Sequence, residues 1–174
     1  MYLAKPGDIL LYRKSPSIGD DLIIEGESFE DGRQDREYYH VAIALDANNK
    51  IEAYGKSVAI HPIDYGNFDA FRPPIGSHRV KSALAVIRRC VGQGYDWWLI
   101  IDDAIRYLTK FIPKRLGGPW HLPVSFIQSD ERRGKVCSSL AVAYLNAALW
   151  GPKLGRNASP EDIYLAVKDF PIYV

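Results

Sequence analysis

Residues 38–45, YYHVAIAL, alternate without a break: Tyr39, Val41, Ile43 and Leu45 fall on one side, His40, Ala42 and Ala44 on the other. Such a period-two run fixes a β-strand with a bulky apolar face and a small-residue face, and a one-residue slip would exchange them. Asp46-Ala47-Asn48-Asn49 follows as turn chemistry, because Asn and Asp tolerate left-handed backbone angles. Ile51–Tyr54 and Ser57–Ile63 are then further strands, so the segment predicts an antiparallel meander. An earlier strand, Asp8–Arg13 (DILLYR), is entered from Pro6-Gly7.

Helical spacing takes over further along. After Pro73-Pro74-Ile75-Gly76, apolar residues recur at Val80, Leu84, Ile87 and Val91, and a second helix is predicted over Trp97–Phe111. Val136–Trp150 (VCSSLAVAYLNAALW) is rich in alanine and leucine and stops at Gly151-Pro152, which predicts a helix with Cys137 in its first turn. Ser159-Pro160-Glu161-Asp162 supplies an N-cap, a first-position proline and two acids, opening a last helix that runs to about Lys168. Residues 26–37 read as an exposed polar loop, and 113–134 as a long connection of the kind that is usually functional. Strands and helices are segregated with no repeat between them, so the fold class is α+β in a single domain over 1–174.

Composition narrows the function. In 174 residues, 47% are apolar and 25% charged, the balance of a globular chain. Basic residues number 22 against 21 acidic, and a formal charge of +1 gives no field for nucleic acid. No eighteen-residue apolar run predicts a membrane span, and MYLAKPGDILLYRK lacks the pattern of an export signal. The two cysteines, Cys90 and Cys137, read as free thiols. The histidines and cysteines show no CxxC or HExxH spacing and there is no glycine-rich phosphate loop, so neither metal nor cofactor is expected.

The chemistry concentrates at Cys137. In the first turn of a helix a thiol meets unpaired backbone amides and the positive end of the macrodipole, which favour a thiolate. The same amides can hold an oxyanion. A lone helical cysteine is otherwise a small buried residue, and Cys90, late in its helical stretch before Gly92, is assigned to packing. His40 is the base candidate, because Ala42 and Ala44 leave room on its face for the Cys137 helix. His61 in SVAIHPI is its rival, whereas His78 and His121 lie in loop sequence. Glu52 has the parity to orient His40, although a turn centred near Asn48 would pair it with Ala44, and a plain exposed hairpin glutamate is the alternative. Tyr39, Tyr54 and Tyr95 are candidates to line a substrate cleft, or are ordinary core tyrosines, and Ser138 is a candidate beside the oxyanion.

PGDILLYR, YYHVAIAL, IEAYGKSVAIHPID and KVCSSLAVAYLNAAL together resemble the circularly permuted papain-like hydrolases, the YiiX-like and LRAT-like branch of the NlpC-type superfamily. The histidine strand precedes the cysteine helix, as in that branch. The resemblance implies a permuted papain-like fold, a cysteine peptidase or amidase with Cys137 as nucleophile, His40 as base and Glu52 as the third group, and no cofactor. It implies peptidoglycan stem peptides as first substrate class. With no export signal, that substrate points to cytoplasmic recycling or delivery in a phage particle. Two other functions stay open: an LRAT-like lipid acyl hydrolase or acyltransferase, for which Trp97–Ile101 is the apolar candidate, and a catalytically silent binding module. Ala141 departs from the larger residue of many relatives, and Arg132, Arg133 and Lys135 crowd the cysteine helix.

Overall fold

The computed structural model describes residues 2–13, 38–54, 57–66, 68–94, 137–155 and 158–172. The strand with two apolar faces sits near the middle of the sheet, since only a central strand can bury both. In chain order the strands are β1 (Ile9–Arg13), β2 (Tyr38–Ala44), β3 (Asn49–Tyr54), β4 (Ser57–Pro62), β5 (Phe68–Phe71) and β6 (Pro171–Ile172). They form an antiparallel sheet in the order β4-β3-β2-β1-β5-β6. The helices are α1 (Ser77–Arg88), α2 (Cys137–Ala147) and α3 (Pro160–Val167). The α+β class follows directly.

Parity decides what each sheet face carries. Ile9, Leu11, Val41, Ile43 and Ile51 form one core with Ala83 and Leu84 of α1, Leu140, Tyr144 and Leu145 of α2, and Ile163 of α3. Leu10, Tyr12, Ala42, Ala44 and Ala70 lie in a second, smaller core with Tyr2, Ala4 and Ile63. The helices therefore cover the bulky face, and the terminal segment and the β4–β5 connection cover the other. This corrects the expectation that the Cys137 helix would lie over Ala42 and Ala44. Large aliphatic side chains bury more apolar area against a helix than two methyl groups do, so the bulky face takes it.

The β2–β3 turn is tighter than predicted. Leu45 N donates to Asn49 O at 2.8 Å, and Asp46 Oδ1 accepts from the backbone amides of Asn48 and Asn49. The register is Ile43 opposite Ile51 and Ala44 opposite Lys50, which moves the turn centre before Asn48. Continuing that register sets Glu52 level with Ala42, one step nearer His40 than the sequence suggested. Between β3 and β4, Tyr54 faces Ser57, Glu52 faces Ala59 and Lys50 faces His61.

Several boundaries also differ. α1 begins at Ser77, with Gly76 as extended N-cap, and ends at Arg88, so Val91 lies outside it and exposed. Its polar first turn carries no apolar period to mark the start. β5 and β6 escape a periodicity reading because they are four and two residues long. The α3 cap is as predicted: Ser159 accepts from Asp162 N while Asp162 returns a bond to Ser159 N. The predicted Trp97–Phe111 helix, the 26–37 loop and the 113–134 connection lie outside the described residues.

Pro6-Gly7-Asp8 ties these layers together. Asp8 is fully buried and accepts from Tyr2 Oη and Lys5 N at 2.8 Å and from both Nε and Nη2 of Arg72, at 2.7 and 2.8 Å. That fork fastens the chain start to the end of β5. Gly7 adopts φ +89°, donates to Ala44 O at 2.8 Å and accepts from Tyr144 Oη at 3.2 Å. A Cβ there would collide with the Tyr144 hydroxyl and stand 2.8 Å from Val80 Cγ1. Gly7→Ala is accordingly predicted to lose about 2–4 kcal/mol in urea unfolding, from positive φ and overpacking together. Gly76→Ala, with open space around it, should lose less than about 1 kcal/mol; equal losses would contradict this account of the joint.

Candidate active site

On the small-residue face, β2, β3 and β4 bring three polar side chains to one carboxylate. His40 Nε2 lies 2.7 Å from Glu52 Oε2, Lys50 Nζ 2.9 Å from the same oxygen, and His61 Nδ1 2.8 Å from Oε1. Glu52 is 3% exposed, so an uncompensated charge there would be costly. Burial by itself pushes its carboxyl upward, but the hydrogen bond and charge of His40, joined by the Lys50 ammonium, outweigh it. The carboxyl is held down to about 2. Glu52 is thus an anion and can only accept, which assigns the protons: His40 donates from Nε2 and His61 from Nδ1. The remaining basic nitrogen of His40 is Nδ1.

Aromatic rings frame the imidazole. The ring centroids of Tyr12, Tyr54 and Tyr39 lie 5.6, 5.7 and 6.2 Å from that of His40. Lys50 Nζ donates to Tyr12 Oη at 2.9 Å and stands 4.4 Å from that ring's centroid. Burial, and then the Glu52 charge, push the Tyr12 hydroxyl well above its ordinary range, so it stays protonated. Tyr54 is half exposed and Tyr39 half-buried, so both can meet a ligand at the edge of the cluster. Tyr95 lies outside the described residues.

Cys137 is the first residue of α2 and is buried, as is Ser138 beside it. It belongs to the helix-side core, while His40 leaves β2 with the opposite parity. Next to His40 the β1–β2 pairing slips, Tyr12 facing His40 but Arg13 facing Tyr38, which leaves Tyr39 as a bulge. Bulges re-aim neighbouring side chains. Burial disfavours a thiolate, and the helix start favours it. Cys90 follows α1, half-buried against the helix-side core, and the two cysteines form no disulfide.

Lys50 and His61 were not foreseen as partners of Glu52. The signal was present: Lys50 and Glu52 share parity, and pairing Tyr54 with Ser57 sets His61 opposite Lys50 by counting alone. Among the described residues no cluster suits a metal ion, and no helix is long and apolar enough to cross a membrane. No protein-family model matches the chain, and no match is found among curated proteins or solved structures.

A depressed carboxyl contributes stability above its unfolded value, and that contribution disappears as pH falls through the folded value. Glu52 should therefore stabilise the fold above about pH 4.5 and cease to do so near 2. Glu52→Gln is predicted to cost about 3 kcal/mol near neutrality by leaving Lys50 and His40 without their anion. The gap from wild type should close between pH 4.5 and 2 in urea melts; a gap independent of pH would contradict the assignment.

Proposed function

We propose that the protein is a cysteine hydrolase of permuted papain-like type, with Cys137 as nucleophile, His40 as base and Glu52 as the group that orients the imidazole. One observation carries this: the buried 2.7 Å bond from His40 Nε2 to an ionised Glu52, which leaves Nδ1 as the nitrogen available to a thiol. The order of histidine strand, glutamate strand and cysteine-headed helix supports the same reading. The reading requires the imidazole, next to the bulge at Tyr39, to reach the thiol at the start of α2.

In the mechanism, Nδ1 takes the thiol proton and the Cys137 thiolate attacks an amide carbonyl. Backbone amides at Cys137 and Ser138 stabilise the oxyanion, as the start of a helix allows. The imidazolium then gives its proton to the leaving amine, and the same nitrogen activates water to release the acyl group. Glu52 remains ionised throughout and holds the ring's other N–H.

The substrate class we propose is the stem peptide of peptidoglycan, with Tyr54 and Tyr39 at the rim of the site. The test is to incubate wild type and Cys137→Ala with purified muropeptides and, separately, with phospholipid vesicles, following products by mass spectrometry. The expected result is muropeptide cleavage that falls by on the order of 10⁴-fold in Cys137→Ala and stays within about twofold in Cys90→Ala. Cys137-dependent release of fatty acid without muropeptide cleavage would move the substrate to lipids. Turnover that survives Cys137→Ala would end the cysteine-hydrolase reading.

A further inference from the structure

The proposed mechanism uses one oxygen of Glu52 and one donor, yet the carboxylate receives three. His40 and Lys50 share Oε2, and His61 takes Oε1, at 2.7, 2.9 and 2.8 Å. Orienting an imidazole needs only the first of these. Lys50 is 8% exposed, and an ammonium is not buried without a reason. Stability is a weak one, because a buried ion pair is often matched or bettered by apolar replacements of similar size.

We propose that Lys50 and His61 are positioning residues for the His40–Glu52 pair, Lys50 fixing the charge of the carboxylate and His61 fixing its plane. The proposal rests on the cysteine-hydrolase reading for its catalytic consequence. The terminal torsion of a glutamate is broad, so a carboxylate bonded at one oxygen can swing. A donor on the second oxygen, from a different strand, stops it. His61 serves as that donor, bonded through Nδ1 on β4 while the rest of its ring meets solvent, its side chain being 41% exposed.

Lys50 acts on charge. Burial alone would raise the Glu52 carboxyl, and Lys50 is one of the two groups that hold it down. A protonated Glu52 becomes a donor at one oxygen. It could then accept His40 Nε2–H only through the other oxygen, and the competing arrangement would place the imidazole proton on Nδ1. That is the nitrogen the thiol needs. The lysine is itself fixed from its far side by Tyr12, through the hydroxyl at 2.9 Å and the ring.

The experiment uses the full chain and four variants: Lys50→Met and His61→Leu, which remove each donor, Lys50→Arg, which keeps the charge, and His61→Asn, which keeps a donor near the Nδ1 position. Two readouts need no substrate. Carbon-13 NMR follows the Glu52 carboxyl, and nitrogen-15 NMR reads the His40 tautomer. Lys50→Met should raise the Glu52 midpoint from about 2 by about one pH unit or more, with Lys50→Arg raising it less. His61→Leu should mix the His40 tautomers, and His61→Asn should restore the Nε2–H form. On the Cys137-dependent reaction, Lys50→Met and His61→Leu should lower kcat about tenfold or more with KM within about twofold, and His61→Asn should recover to within about threefold.

An unchanged carboxyl midpoint in Lys50→Met together with an unchanged tautomer in His61→Leu would overturn the proposal, whatever the activities. Should either removal variant fail to fold, Lys50→Gln and His61→Ala carry the same two NMR comparisons. Failure of the cysteine-hydrolase reading shows itself differently, as turnover indifferent to Cys137 with the NMR effects intact.

Discussion

A carboxylate on a sheet strand, 3% exposed, has to be answered by hydrogen-bond donors and positive charge, and in this chain the answer organises three strands. His40 comes from β2, Lys50 from β3 itself and His61 from β4, and all three aim at Glu52. Each must leave its strand on the same face, so Lys50 is tied by parity along β3 and the two histidines by the registers of β2 and β4 against it. A one-residue change in either connection would send one histidine to the helix side and leave the glutamate with two of its three donors. The polar cluster thus acts as a register lock for the meander, in addition to its chemistry.

The same parity divides the rest of the molecule. Placing His40, Lys50 and Glu52 on one face hands Val41, Ile43 and Ile51 to the other, where the three helices bury them. Gly7 and Asp8 join the two sides, Gly7 by admitting the Tyr144 hydroxyl against its backbone and Asp8 by anchoring Arg72 at the end of β5. The helix headed by Cys137 and the imidazole therefore belong to different faces of one strand. The bulge at Tyr39 marks where the regular pairing of that strand gives way.

Much of this was legible in the sequence where a strong local period existed. Val41 to Ala44 of YYHVAIAL, the two strands after it, the Cys137 helix and the Ser159 N-cap needed only alternation, alanine content and cap chemistry, whereas Tyr39, set with Val41 by alternation, packs with the second core because the bulge shifts the parity and brings Tyr38 to the helix side. The Glu52 parity was also readable, and its distance from His40 was misjudged only because the turn centre lay one position earlier than Asn48. What failed was what periodicity does not encode. Which face of β2 receives a helix depends on the apolar area available on each side, a tertiary quantity, and it went to the bulky face. Lys50 and His61 look like a surface lysine and a stray histidine until the β3–β4 register is counted. β5 is too short to show a period, and Tyr95 lies outside the described residues.

The proposed mechanism needs Cys137 and His40 to act as one coupled pair although they lie on different faces of β2. Its most direct test is a pH titration of the Cys137 β-carbon by NMR in wild type and in His40→Ala, with folding checked by circular dichroism. Such coupling predicts a wild-type Cys137 that becomes a thiolate well below the ordinary thiol midpoint of about 8.5, and a midpoint that rises once His40 is gone. A Cys137 that titrates at or above the ordinary value in wild type, and at the same pH without His40, would contradict it.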